Sequence, residues 1–157
     1  MIAIFPGSFD PPTIGHISLI KRSAAIFDKV IVAVAENNNY MFPVDVRLAM
    51  LKSCCSYLEN VVVTSFTGLM VDCASHYAAD VIVKGARSMQ DFDYERNMAA
   101  ANKIIGSNIE TFLLPSLPEY SYISSSLAKD ILVNNGDLSS FLPSEVIAML
   151  SSNKNGS

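Results

Sequence analysis

The chain has 157 residues, 50% of them hydrophobic, with a formal net charge of −4 and a pI of about 5.0. This composition supplies one compact core and excludes a disordered chain. Because domains that bind nucleic acid carry a basic face, it also argues against DNA or RNA as the main partner. No apolar run approaches the roughly 18 residues that a membrane span needs. Three cysteines and two histidines lack metal-site spacing, and without a basic leader we expect a cytoplasmic protein with reduced thiols.

Short apolar runs alternate with helical patterns along the whole chain. The predicted strands are 2–5, 30–34, 61–64, 81–84 and 111–114, and the predicted helices lie near 17–27, 44–56, 69–77, 89–105, 124–135 and 143–150. Such alternation predicts an α/β fold with a doubly wound five-stranded parallel sheet. Residues 1–150 form a single domain in this prediction, and the small, polar residues 151–157 form a flexible tail.

In a doubly wound sheet, ligands bind beyond the carboxyl ends of the strands, where the strand order reverses. If the order is 3-2-1-4-5, that point lies between the first and fourth strands. The first strand leads into a turn, residues 7–16, that precedes a helix. Gly7 leaves space for a ligand near the backbone, Ser8 offers a hydroxyl, and His16 adds a ring donor near a helix N-terminus suited to phosphate. The alternative is a turn shaped by Gly and Pro for geometry, with His16 as a helix cap.

The fourth strand is followed by Lys84-Gly85-Ala86-Arg87, which brings two cations together around a glycine. Arg87 can form a bidentate fork with phosphate, whereas Lys84 acts as a compact point charge. The alternative for Lys84 is an ordinary solvated strand end. The two cations and the turn of residues 7–16 are therefore predicted to meet at the same edge of the sheet.

Further polar clusters begin the later helices. Asp91 and Asp93 suit the first turn of a helix, where acidic residues complement the helix dipole. Ser124, Ser125 and Ser126 precede another helix. One serine serves as the N-cap, and three exceed that need, so these hydroxyls and the helix N–H groups suit a triphosphate.

These stretches, taken together, resemble the motifs of the phosphopantetheine adenylyltransferase family, within the nucleotidyltransferase superfamily related to class I aminoacyl-tRNA synthetases. The motifs are Gly-Ser-Phe-Asp-Pro with Thr-x-Gly-His, then Lys-Gly-x-Arg, Asp-Phe-Asp-Tyr-Glu and Tyr-Ser-Tyr-Ile-Ser-Ser-Ser, in the family's order. Thr13 in place of a first His is typical of this family. The resemblance implies a Rossmann-like nucleotidyltransferase fold and transfer of the adenylyl group of ATP to 4′-phosphopantetheine, giving dephospho-coenzyme A and pyrophosphate.

The resemblance also implies roles for individual residues. The catalytic set is His16, which contacts the α-phosphate, with Lys84 and Arg87. The ATP-binding set is Ser8, Phe9, His16, Gly85, Ala86, Arg87, Glu95, Tyr120, Ser121, Tyr122, Ile123, Ser124, Ser125 and Ser126. Phosphopantetheine is expected to contact Ser8, Met70, Lys84 and Asn102, although Met70 also suits the core. Mg²⁺ arrives with ATP and has no dedicated protein ligands, the assembly is a homohexamer, and coenzyme A is a candidate feedback ligand.

The loop of residues 36–42 departs from the family pattern. Family members generally carry a lysine there that helps bind the phosphopantetheine phosphate, and this chain has no cation in that loop. The candidate replacements are Asn39 or Tyr40, as hydrogen-bond donors, and Arg47 or a cation from elsewhere in the chain. The alternative acceptors are a sugar phosphate or nicotinamide mononucleotide, whose enzymes mostly carry His-x-Gly-His. A non-enzymatic nucleotide-binding module is the third hypothesis, but it would be expected to have lost His16 or Arg87.

Overall fold

The structure, a computed structural model, describes residues 1–37, 39–106 and 109–154. Five parallel strands form one sheet in the order β3-β2-β1-β4-β5. The elements are β1 (Ile2–Gly7), α1 (Ile14–Ala24), β2 (Lys29–Ala35), α2 (Val44–Cys54), β3 (Val61–Phe66), α3 (Met70–His76), β4 (Val81–Ala86), α4 (Met89–Ile105), β5 (Glu110–Pro115), a 3₁₀ turn (Pro118–Tyr120), α5 (Ser125–Val133) and α6 (Ser144–Lys154). The predicted α/β class, the doubly wound sheet and the strand order are confirmed.

The central strands are apolar throughout because both of their faces are buried. In β1, Ala3 and Phe5 belong to one core cluster, while Ile4 between them belongs to the other. Successive side chains of a strand point to opposite faces, so a sheet covered on both sides needs continuous apolar runs. Helices α1, α2, α5 and α6 contribute buried residues to the first cluster and α3 to the second.

Strand ends differ from the prediction at the edge that matters for function. Gly85 and Ala86 continue β4 beyond its predicted end at Lys84, because they pair with Leu114 and Pro115 of β5. The stretch predicted as a loop is therefore mostly strand, and Arg87 is its first residue outside β4. Apolar content predicts where a strand is buried, whereas backbone pairing decides where it ends.

The predicted tail also needs correction. Helix α6 does not end at Leu150 but continues to Lys154. The hydroxyls of Ser151 and Ser152 donate to the carbonyls of Ile147 and Ala148, each at 3.0 Å, so both hydroxyls find their acceptors within the helix. Residues 155–157 of the predicted tail lie outside the described residues.

A crevice opens where β1 and β4 separate. These strands pair at Ala3–Val81 and Ile4–Ile82, while β1 pairs with β2 along its whole length from Ile2 to Gly7. The carboxyl-terminal halves of β1 and β4 are thus free to diverge at the predicted switch point. Within the described part of the chain, no helix combines the length and the apolar character needed to cross a bilayer.

Candidate active site

A polar cavity of about 330 Å³ lies at the carboxyl ends of β1 and β4. It brings together most of the residues predicted for the nucleotide: Ser8, Phe9, His16, Lys84, Gly85, Arg87, Glu95, Tyr120, Ile123, Ser124, Ser125 and Ser126. Among the described residues, the predicted contacts Ala86, Ser121 and Tyr122 do not line it. Ala86 pairs with Pro115 in the sheet, and the exposed ring of Tyr122 packs edge-on against Phe141, with centroids 6.2 Å apart.

A second cavity of about 210 Å³ adjoins the first. It contains Met70 and Asn102, the residues predicted for the acceptor arm, and its exposed lining is more apolar than polar. Met70 also packs against the core cluster beneath α3. The residue therefore has both the core contact and the cavity position that the sequence predicts. Ser8, Lys84 and Glu95 line both cavities. These three residues form a wall between the two cavities, so a polar site and a more apolar site lie on either side of Lys84.

His16 is the third residue of α1, and Thr13 rather than His16 is the N-cap. The two residues form a capping box: the Thr13 hydroxyl accepts the backbone N–H of His16 at 3.3 Å, and the Thr13 N–H donates to His16 Nδ1 at 3.1 Å. The ring of Phe9 packs against the imidazole at 5.1 Å between centroids. Desolvation lowers the pKa of His16 to about 4, with further lowering by the charges of Arg87 and Lys84. The ring is therefore neutral at pH 7.

The turn after β1 is built around the buried ring of Phe9, whose backbone adopts a φ of 49°. A Cβ on Gly7 would lie 2.9 Å from that ring, closer than side-chain carbons approach one another. Gly7 is therefore required for the packing of Phe9, and it also lines both cavities, where the sequence predicts space for a ligand. Likewise, a Cβ on Gly85 would lie 2.4 Å from Cδ1 of Leu19, so β4 and α1 meet at a glycine.

Each predicted cation in the cavity has a carboxylate partner. Lys84 Nζ lies 3.1 Å from Glu95 Oε1. Arg87 donates through Nε to Asp91 Oδ2 at 2.9 Å and through Nη1 to the carbonyl of Ile123 at 3.1 Å. The sequence reasoning assigned Asp91 to the helix dipole and missed this contact, although the spacing of four residues from Arg87 was a usable signal.

The three serines at the start of α5 have different roles. Ser124 is the N-cap, and its hydroxyl accepts the N–H of Leu127 at 3.1 Å. The hydroxyl of Ser125 donates to the carbonyl of Pro11 at 2.8 Å and ties α5 to the turn after β1. Within the described chain, the hydroxyls of Ser126 and Ser8 have no protein partner. These two hydroxyls remain available to a ligand.

Asp10, which the sequence reasoning did not single out, connects both sides of the site. Its carboxylate is 1% exposed and accepts the N–H groups of Met41 and Phe42, each at 2.8 Å. Lys129 Nζ of α5 lies 3.2 Å from the same carboxylate. Asp10 thus joins the loop before α2 to the helix that carries the serines.

Arg47 is likewise a buried organiser and not a replacement for the missing lysine. Its side chain is 1% exposed, and its Nη1 donates to the carbonyls of Ser8 at 2.6 Å and Ala35 at 3.0 Å. Tyr40 covers the guanidinium, with Cζ 4.4 Å from the ring centroid. Within the described residues, Asn39, Tyr40 and Arg47 all lie outside the linings of the two cavities.

Comparison with known proteins agrees with this geometry. Residues 4–131 match the cytidylyltransferase-like family. A phosphopantetheine adenylyltransferase from Clostridium perfringens is 45% identical over 93% of this chain and 90% of its own length, and one from Nautilia profundicola is 45% identical over 92% and 96%. The crystal structure of a Vibrio parahaemolyticus protein described as a nicotinate-nucleotide adenylyltransferase superposes with a TM-score of 0.66 at 20% identity, covering 95% of this chain and 97% of the other; it shares the fold.

Proposed function

The chain belongs to the phosphopantetheine adenylyltransferase family, and on that premise we propose that it transfers the adenylyl group of ATP to 4′-phosphopantetheine. The products are dephospho-coenzyme A and pyrophosphate. The observation that carries the proposal is the wall of Ser8, Lys84 and Glu95 shared by the two cavities. ATP occupies the polar cavity, the acceptor arm occupies the more apolar one, and the two phosphates meet at the wall.

The reaction needs no nucleophilic side chain, because the acceptor phosphate itself attacks the α-phosphorus of ATP in line. The new phosphorus–oxygen bond forms as the bond to pyrophosphate breaks. The protein therefore contributes positioning and electrostatic stabilisation. His16 donates a hydrogen bond to the α-phosphate as negative charge develops, and Lys84 with Arg87 offsets the repulsion between the two anions.

The start of α5 suits the leaving pyrophosphate. Helix N–H groups and the free hydroxyl of Ser126 line the polar cavity there. Mg²⁺ would be held mainly by the phosphate oxygens of ATP and by water, since no group of three or more His, Cys, Asp or Glu side chains is placed to hold a metal within the described chain. When bound, the ion neutralises phosphate charge.

The acceptor assignment rests on Met70 and Asn102 beside the shared wall. An extended arm with amide groups fits a more apolar channel that offers one side-chain amide. A sugar phosphate or nicotinamide mononucleotide has no extended arm and would leave that channel unfilled. Thr13 and the Ile-Ser-Ser-Ser sequence favour phosphopantetheine.

Assembly into a homohexamer is also part of the proposal. Helix α4 has 17 residues and no buried one, yet it exposes Met89, Phe92, Ile104 and Ile105, which line neither cavity. Packing between subunits would cover such a face. We further propose coenzyme A as a feedback ligand, because it contains the product, and a cytoplasmic location, because Cys54, Cys55 and Cys73 are free and buried.

The test is a pyrophosphate-release assay with ATP and a panel of acceptors: phosphopantetheine, nicotinamide mononucleotide, nicotinate mononucleotide and a sugar phosphate. We expect kcat/KM to be highest for phosphopantetheine. Asn102→Ala should raise the KM for phosphopantetheine and leave the affinity for ATP unchanged. Asn97→Ala is the matched control, because Asn97 lies in the same helix α4 and lines neither cavity. Preference for another acceptor would refute the substrate, and release from none would refute the activity.

A further inference from the structure

The two nitrogens of the His16 ring are not equivalent in this structure. The backbone N–H of Thr13 donates to Nδ1 at 3.1 Å, and the hydroxyl of Thr13 lies 3.1 Å from the same atom. A ring nitrogen that accepts from an N–H group must present its lone pair and carries no proton. In the neutral ring, the proton therefore sits on Nε2.

We propose that Thr13 is a positioning residue that holds His16 as the neutral Nε2–H tautomer. With Nδ1 engaged by the helix cap, Nε2 is the nitrogen left to meet a ligand in the polar cavity that His16 lines. The inference rests on the proposed function, because it gives His16 a phosphate to contact. His16 then stabilises the reacting α-phosphate by a directed hydrogen bond, and no proton is transferred.

The surroundings favour the same state. Protonation of Nδ1 would set one N–H group against another at 3.1 Å, so the capping box opposes both the Nδ1–H tautomer and the imidazolium. The charged groups that act on the ring are Lys84 of β4 and Arg87 beyond it, both cations. The cavity's carboxylates, Glu95 and Asp91, are paired with those same cations. Phe9 packs against the ring at an interplanar angle of 68° and limits its rotation.

The tautomer can be observed directly, without any activity measurement. The chain has two histidines, so protein labelled with ¹⁵N-histidine in the His76→Gln background gives the nitrogen resonances of His16 alone. We expect an unprotonated Nδ1 and a protonated Nε2 between about pH 5 and 8, the range in which an ordinary histidine titrates. Free histidine in the same buffer is the reference for an ordinary imidazole. An Nδ1–H signal, or titration of His16 within that range, would overturn the inference.

Variants of Thr13 separate positioning from simple capping. Thr13→Val keeps the shape but removes the hydroxyl, whereas Thr13→Ser keeps it. We expect Thr13→Val to lower kcat roughly 10-fold to 100-fold, as for residues that orient histidine ligands of metals, with a smaller change in the KM for ATP. Valine retains the backbone N–H that donates to Nδ1 but lacks the hydroxyl contacts that hold this N–H in place against the ring. The second tautomer should therefore become detectable, and Thr13→Ser should restore both kcat and the single tautomer. If Thr13→Val loses thermal stability while kcat and tautomer stay at the Thr13→Ser level, Thr13 is a helix cap and nothing more.

The two proposals fail in distinguishable ways. A wild-type protein with the Nε2–H tautomer but no pyrophosphate release would refute the proposed function and leave the ring assignment standing. A wild-type protein that forms dephospho-coenzyme A but shows an Nδ1–H ring would refute the role of Thr13 alone. A fall in kcat in Thr13→Val with an unchanged tautomer would also overturn that role, since the effect would then reach the substrate by another route.

Discussion

Replacing Arg47 by Met should destabilise the protein strongly, because Arg47 is a buried cation that holds three backbone carbonyls. Nε donates to Phe42 at 2.9 Å, and Nη1 donates to Ser8 at 2.6 Å and to Ala35 at 3.0 Å. These carbonyls belong to the turn after β1, the end of β2 and the loop before α2. Met fills similar space but leaves all three acceptors without their donor.

The size of the effect follows from these contacts. A hydrogen bond to a charged group contributes about 1.5–3 kcal/mol, but losing the arginine also removes the unfavourable burial of its charge. Each buried carbonyl left without its donor costs about 1–3 kcal/mol. For three carbonyls, less the relieved burial of the charge, we expect a net loss of about 3–5 kcal/mol. For a chain of this length, about 1 kcal/mol shifts Tm by about 2–4 °C. We therefore expect Arg47→Met to lower Tm by roughly 6–20 °C.

Thermal unfolding followed by far-UV circular dichroism measures the change in Tm, and urea unfolding measures the change in the free energy of unfolding. Arg22→Met is the matched control, because Arg22 donates from a more exposed site to one carbonyl, that of Pro115 at 2.7 Å. It should cost at most about 1 kcal/mol. Arg47→Lys should fall between the two, since an ammonium cannot reproduce the planar fork. If Arg47→Met proves no more destabilising than Arg22→Met, the contacts of Arg47 do not stabilise the fold as argued.

Three predictions concern catalysis and binding. His16→Ala should lower kcat roughly 10²–10³-fold, as for the loss of one oxyanion donor, with a much smaller change in ATP affinity; turnover near the wild-type rate would contradict this role. Arg87→Lys should weaken ATP binding in calorimetry, because the planar fork is lost while the charge remains. The control is Asp91→Asn, which keeps the arginine but removes its charged partner. Equal affinity of Arg87→Lys and wild type for ATP would refute the contact between Arg87 and ATP. At saturating ATP, Lys84→Ala should raise the KM for phosphopantetheine, and Asn39→Lys should lower it. The added charge of Asn39→Lys should change the binding free energy by roughly 0.2–1 kcal/mol, as for an exposed contact. An unchanged KM in Lys84→Ala means that another cation holds the phosphate.

The fold could be predicted from sequence because its signals are local or topological. Apolar runs of a few residues identify the strands, and the general rules for parallel sheets then restrict the strand order. The switch point followed from that order. The N-cap of α5 is also a local signal. One of the serines before the apolar helix pattern is expected to cap it, and Ser124 does so.

Contacts between distant residues lay beyond that reasoning. Asp10 and Lys129, which form an ion pair, are 119 positions apart in the sequence. Arg47 and Ser8, which share a hydrogen bond, are 39 positions apart. Periodicity shows which face of a helix is buried, but it does not show that a buried position will hold an arginine among carbonyls. The error in the limits of β4 has a similar origin, because pairing with β5 is a property of two strands and not of one.

The two cations of the polar cavity differ in what a phosphate must displace. Side-chain exposure is 39% for Arg87 and 31% for Asp91, but 27% for Lys84 and 14% for Glu95. An exposed pair contributes about 0–1 kcal/mol and exchanges partners at little cost, whereas turning Lys84 away would leave Glu95 largely buried without a partner. An ammonium has three donors and can hold Glu95 and a phosphate together. Arg87, held on one edge by Asp91 and at Nη1 by Ile123, must release a contact to present its full fork. ATP binding is therefore expected to reorient Arg87, while Lys84 stays paired with Glu95 and marks the fixed point between the two cavities.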